Sequence, residues 1–93
     1  MSTDTAICRT LTILNKRGLH ARAAAKFVKL ADTFEADIQV SKSGTTVSGL
    51  SIMGLMMLAA APGCTIDIAV TGPQGTEAAD AIAQLVADKF GEE

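Results

Sequence analysis

The chain has no tryptophan and no tyrosine, and its three phenylalanines, Phe27, Phe34 and Phe90, bring aromatics to only 3% of 93 residues. A core with so few rings has to be aliphatic, and stacking on nucleic-acid bases has almost nothing to work with. Positive charge is not in excess either. The net charge of −2 and pI near 5.2 lack the electrostatic footprint of a general nucleic-acid binder. No long apolar run is present: the most apolar segment, Gly49 to Ala61, falls well short of the ~20 residues that a spanning helix needs. Met1 to Thr5 is polar and lacks the cationic-then-apolar pattern of a secretory leader. These absences predict a cytoplasmic protein without nucleic-acid or membrane partners. Cys8 and Cys64 show no CxxC or metal-ligand spacing, so they read as reduced core residues, with no metal and no cofactor implied. There is a single histidine, His20.

What is present belongs to one small folded unit. Hydrophobic residues at 48%, charged residues at 19% and a mean hydropathy of +0.32 exclude disorder. The length predicts one domain over residues 1–93, with one core and no second lobe to close over a substrate. Charge is unevenly spread. Residues 1–42 carry seven bases and four acids, net +3, whereas residues 43–93 carry one base and six acids, net −5. A basic front half on a mildly acidic protein points to a local site for an anion or an acidic partner.

Periodicity lays out the elements. Ile7 to Leu14 alternates at Ile7, Arg9, Leu11 and Ile13, as a half-buried strand does, and Asn15 to Gly18 breaks it. Ala24, Phe27, Val28 and Ala31 then share one helical face, predicting a helix capped by His20 with Ala21, Arg22 and Ala23 as its first turn. Ala36 to Ser41 and Thr46 to Ser48 form a hairpin about Lys42-Ser43-Gly44-Thr45. Ser51 to Ala60 is a short apolar helix capped by Ser51 and ended by Pro62-Gly63. Cys64 to Val70 is a fourth strand, and Thr76 caps a last helix with Ala78, Ile82, Leu85 and Val86 on one side. The order β-α-β-β-α-β-α, with one apolar face per element, predicts a two-layer α+β domain with its helices on one sheet face.

A few residues can carry chemistry. An imidazole at a helix start sits beside unpaired backbone N–H groups and positive potential, where phosphate oxyanions are stabilised. Arg22 adds a planar donor fork beside it. His20 is therefore either a nucleophile in an anion pocket or a surface cap. Ser51 caps its helix, and a phosphoryl group there would add charge at the cap. In the apolar helix, Leu55 and Leu58 share one face while Ile52, Met53 and Met56 cluster on another. The second set is either additional core or an exposed docking patch. Arg22, Lys26 and Lys29 form a basic stripe, which is either a solvated face or part of an anion site. No dinucleotide loop, P-loop, acid–base carboxylate pair or distinctive Ser–His–Asp set is found.

Two segments carry a resemblance. Asn15-Lys16-Arg17-Gly18-Leu19-His20-Ala21-Arg22, followed by Ala24-Ala25 and Phe27-Val28, closely resembles the active-site segment of the HPr phosphocarrier family. Ser51-Ile52-Met53-Gly54-Leu55-Met56, followed by Leu58-Ala59-Ala60 and Gly63, resembles the family's second signature. The resemblance spans nearly the whole chain. It implies an open-faced β-sandwich, a four-stranded antiparallel sheet in order 1-4-2-3 covered on one face by three helices.

It further implies a monomeric carrier in a phosphoenolpyruvate-dependent phosphotransferase system. His20 would be phosphorylated on Nδ1 by an enzyme I-type phosphotransferase and would pass the group to a IIA-type acceptor, assisted by Arg22. Ser51 matches the serine modified by an HPr kinase/phosphorylase. Ile52, Met53 and Met56 match the apolar docking patch, with Ala21, Lys26 and Lys29 beside it. Cys8 and Cys64 would lie at opposite ends of the pair formed by the first and last strands, too far apart for a disulfide. Ala23 stands where most sugar-system members have proline, a departure that resembles the nitrogen-related type or alphaproteobacterial relatives. The rival reading is a non-catalytic regulatory binding module that uses the same docking surface.

Overall fold

The computed structural model describes residues 6–92, so the expectation about Met1 to Thr5 falls outside the described residues, as does Glu93. Four strands, β1 (Ile7–Thr12), β2 (Asp37–Lys42), β3 (Thr45–Ser48) and β4 (Thr65–Thr71), form one antiparallel sheet in the order β1-β4-β2-β3. Alternation decides which face is wet. Leu11, Ile38, Val40, Ile66, Ile68 and Val70 point to one side and are buried, and Ile13 extends that row beyond β1. Polar side chains hold the other face, where Thr10 donates to Asp67 at 2.6 Å across β1 and β4. The β2–β3 turn has only two residues, Ser43 and Gly44, both at positive φ (51° and 86°), the geometry of a tight hairpin.

Three helices, α1 (Ala21–Ala31), α2 (Ile52–Met57) and α3 (Gly75–Ala87), close the apolar face. Ala23, Ala24, Phe27 and Ala31 of α1 and Ala78, Ala79, Ile82 and Val86 of α3 join the strand residues in one core. The many alanines let the helices approach closely, and Phe27 and Phe90 supply the bulk that tyrosine and tryptophan would otherwise give. The α+β open-faced sandwich and its strand order agree with expectation.

Local details differ. The second helix stops at Met57, with Leu58 as C-cap, well before Pro62, and Ala59 follows with φ of 52°. No turn signal announced this ending. The last helix begins at Gly75 behind Gln74, which makes no side-chain cap, so Thr76 lies inside the helix rather than capping it. After α3 the chain makes a short turn, Lys89–Gly91, with all three residues at positive φ (58°, 56° and 75°), that the sequence did not reveal. That turn buries Phe90 completely. The cysteines are both free, but Cys8 is exposed and Cys64 only half-buried, so neither is a core residue. Cys8 lies between the inward-facing Ile7 and Arg9 and so takes the solvent side. Its register partner is Ala69, whereas the Cys64 carbonyl accepts from the Ile13 N–H at the opposite end of the same pair.

Candidate functional site

The site is assembled on the loop between β1 and α1. Gly18 adopts φ of +64°, and a Cβ there would fall 2.3 Å from the Ala60 carbonyl oxygen, so only glycine lets the loop press this close. The next residue, Leu19, donates its N–H to that same oxygen at 2.9 Å and is itself buried. From the other side Asn15, only 1% exposed, donates its side-chain amide to the Gly18 carbonyl at 2.8 Å. The loop is thereby fixed at both faces before it delivers His20.

His20 has extended backbone and is the N-cap of α1, as expected, but its side chain makes no capping bond. The first intrahelical bond runs from the Ala24 N–H to the His20 carbonyl at 2.8 Å. The N–H groups of Ala21, Arg22 and Ala23 precede it and have no intrahelical partner. The imidazole faces a shallow pocket of about 200 Å³ lined by Lys16, Arg17, His20, Arg22 and Glu92. Arg22 is exposed, and no salt bridge among the described residues engages it.

Glu92, the acid among the described lining residues, places Oε2 2.6 Å from Nε2 of His20. Its Oε1 accepts from the Asn15 amide at 3.0 Å. The hydrogen bond from His20, then that from Asn15, hold the Glu92 carboxyl below the usual carboxylate value against the opposing effect of desolvation, with the charge of Arg17 adding to the lowering.

The pocket unites His20 and Arg22 of the expected residues. The others lie elsewhere. Ser51 is the N-cap of α2, its hydroxyl accepting from the Gly54 N–H at 2.9 Å. Beyond it Leu55 and Leu58 are buried, while Ile52, Met53 and Met56 are 40%, 70% and 39% exposed. This separates the two faces expected of that helix. Met57, 76% exposed, extends the same apolar surface and was not anticipated. Ala21 and Lys29 are exposed. Lys26 reaches away from the basic stripe to donate to the Phe90 carbonyl at 2.7 Å, so it anchors the C-terminal turn. Sequence reasoning also passed over Asn15, Lys16, Arg17 and Glu92 as site residues. Lys16 and Arg17 were legible as charges next to His20, but Glu92 is 72 positions from His20 and gave no signal.

A pocket of three cations, a carboxylate and an imidazole at a helix start can receive a tetrahedral oxyanion. The family model for the PTS HPr component phosphorylation site matches residues 7–88. The chain belongs to the HPr family. It is 49% identical over 84 residues to phosphocarrier protein HPr of Cupriavidus necator, covering 90% of this chain and 94% of that one. It is 44% identical over 84 residues to phosphocarrier protein NPr of Shewanella violacea, covering 90% and 92%. The crystal structure of HPr-C-His from Thermoanaerobacter tengcongensis is similar with a TM-score of 0.89 and 41% identity, covering 94% and 98%.

As an HPr-family protein the chain is a phosphocarrier of the phosphotransferase system, and membership implies dealings with enzyme I and IIA-type proteins. The HPr fold explains how so small a chain serves: it presents a phosphoryl site at its surface instead of enclosing a substrate. Among the described residues, no helix is long and apolar enough to cross a membrane.

Proposed function

We propose that His20 is the residue on which this HPr-family protein carries its phosphoryl group, received from an enzyme I-type protein and handed to a IIA-type acceptor. The observation that carries the reading is the placement of an imidazole at the free start of α1, in a pocket it shares with Lys16, Arg17, Arg22 and Glu92. Phosphoryl transfer needs little from a protein beyond positioning and charge neutralisation. The helix-start N–H groups and the Arg22 guanidinium supply the second. The exposed apolar surface Ile52, Met53 and Met56 would dock the partner, with Ala21 and Lys29 at its side. A single copy holds every one of these groups, which supports a monomeric carrier.

Ser51 offers regulation. A phosphoryl group there would add about −1.5 to −2 charge at the edge of the docking surface and disfavour acidic partners. An HPr kinase/phosphorylase would be the agent. A Ser51→Asp variant is expected to accept phosphoryl groups more slowly than wild type, and equal rates would exclude this form of control.

The principal test is incubation with phosphoenolpyruvate and a cognate enzyme I. Acid-labile label should appear on the wild type and be absent from His20→Ala. Label that persists in His20→Ala overturns the assignment.

A further inference from the structure

We propose that Glu92 is a positioning residue for the transfer step: it holds the proton on Nε2 of His20 and leaves Nδ1 as the attacking atom. The inference rests on the reading of His20 as phosphoryl acceptor.

A carboxylate has only lone pairs to offer, so the ring nitrogen 2.6 Å from Glu92 Oε2 is the one that carries hydrogen. A neutral imidazole has a single N–H. Nδ1 is then unprotonated, and His20 makes no side-chain capping bond that would occupy it. The tautomer of a histidine is set by the hydrogen bond its other nitrogen makes.

The carboxylate is itself held in place. Oε1 accepts from the Asn15 amide at 3.0 Å, and the same amide donates to the Gly18 carbonyl at 2.8 Å. Both partners are acceptors, so the amide nitrogen must face them. The Asn15 carbonyl oxygen is buried and has no hydrogen-bond partner among the described residues. The chain leading to Glu92 is anchored as well. Phe90 is fully buried, Lys26 donates to its carbonyl at 2.7 Å, and the Glu92 N–H donates to the Lys89 carbonyl at 2.9 Å.

The step balances with these groups alone. The Nδ1 lone pair attacks phosphorus and an N–P bond forms. The bond from phosphorus to the donor's leaving atom breaks, and its electron pair stays with that atom. Nε2 keeps its proton throughout, so the imidazole ring becomes cationic as the bond forms. Lys16, Arg17 and Arg22 would all oppose that new charge, and among the described residues lining the pocket Glu92 is the acid that can offset it. An orienting carboxylate acts on a histidine in this way in the Ser–His–Asp arrangement.

The test compares wild type with Glu92→Gln and Glu92→Ala in the full chain. Nitrogen-15 NMR of the neutral His20 ring should show hydrogen on Nε2 in the wild type and in Glu92→Gln, whose amide oxygen can still accept. Glu92→Ala should show a raised share of the Nδ1–H form. The maximal rate of phosphoryl transfer from enzyme I should fall by roughly tenfold or more in Glu92→Ala. Glu92→Gln should fall in between, and the half-saturating enzyme I concentration should hold, because Glu92 lies off the apolar surface. An Nε2 without hydrogen in the wild type overturns the proposal. So does a Glu92→Ala protein that transfers as fast as wild type or faster, which would make Glu92 an obstruction. The NMR result stands whether or not His20→Ala retains label, so failure of this inference and failure of the acceptor assignment are distinguishable.

Discussion

Replacing Gly18 by alanine should destabilise the protein much more than the same replacement at Gly44, although both glycines have positive φ. At Gly44, φ is +86° and a Cβ would meet nothing within 4 Å, so only the left-handed backbone opposes the change. That effect is about 1 kcal/mol. At Gly18 the same effect applies, and the new Cβ would also lie 2.3 Å from the Ala60 oxygen and 3.1 Å from the Ala61 Cα. Those are backbone atoms and cannot swing aside. The loop must lift, and the buried Leu19 N–H then loses its bond to Ala60. The lost bond adds about 1–2 kcal/mol, giving about 3 kcal/mol in total.

With no tryptophan or tyrosine to report fluorescence, the assay is urea unfolding followed by far-UV circular dichroism. The midpoint should fall while the slope stays constant. In thermal melts the Gly44 variant should lose about 4–8 °C and the Gly18 variant at least twice that. Gly18→Ala proving no worse than Gly44→Ala would refute the close-approach argument and, with it, the account of how the loop is held for His20.

Four further outcomes follow from particular positions. Ser51→Ala removes the acceptor for the Gly54 N–H and should lower stability by about 1 kcal/mol in the same urea assay. Leu55→Ala, at a fully buried position, should lower stability by about 2–5 kcal/mol. Met53→Ala, at a position 70% exposed, should stay within about 0.5 kcal/mol of wild type while slowing phosphoryl receipt from enzyme I. The Glu92 carboxyl is held below its ordinary value of 4.5, chiefly by its hydrogen bond to His20. The unfolded chain therefore takes up that proton first. The stability the pairing confers is complete above the ordinary value and is lost as pH falls through the lowered one. The advantage of wild type over Glu92→Gln in urea midpoint should be present at about pH 7 and fade at about pH 2. An advantage that grows on acidification would contradict the pairing.

Much of the fold was legible because its signals are local. Alternation at Ile7, Arg9 and Leu11 and the helical spacing of Ala24, Phe27 and Ala31 each point at one face, and the core sits on those faces. The hairpin was marked by Ser43-Gly44, where a two-residue turn needs positive φ twice. Helix ends were less legible. Ala59 takes a left-handed conformation that alanine gives no sign of, and this stops α2 early. The Thr76 hydroxyl is a sound cap by propensity, yet α3 starts one residue before it. Packing outweighs such preferences, which amount to about 1 kcal/mol or less.

By itself, the sequence determined the strand and helix order, the aliphatic core, His20 at the start of a helix with Arg22 beside it, and the family. These depend on neighbours a few positions apart, where spacing translates directly into a shared face. The tertiary structure alone decided which side chains surround that histidine. It drew Lys26 away to the C-terminal turn, buried Asn15 beneath the loop and brought Glu92 onto the imidazole. Such contacts join residues up to 77 positions apart, and no periodicity encodes them. They arise because burial of Phe90 against the core fixes where the end of the chain must lie.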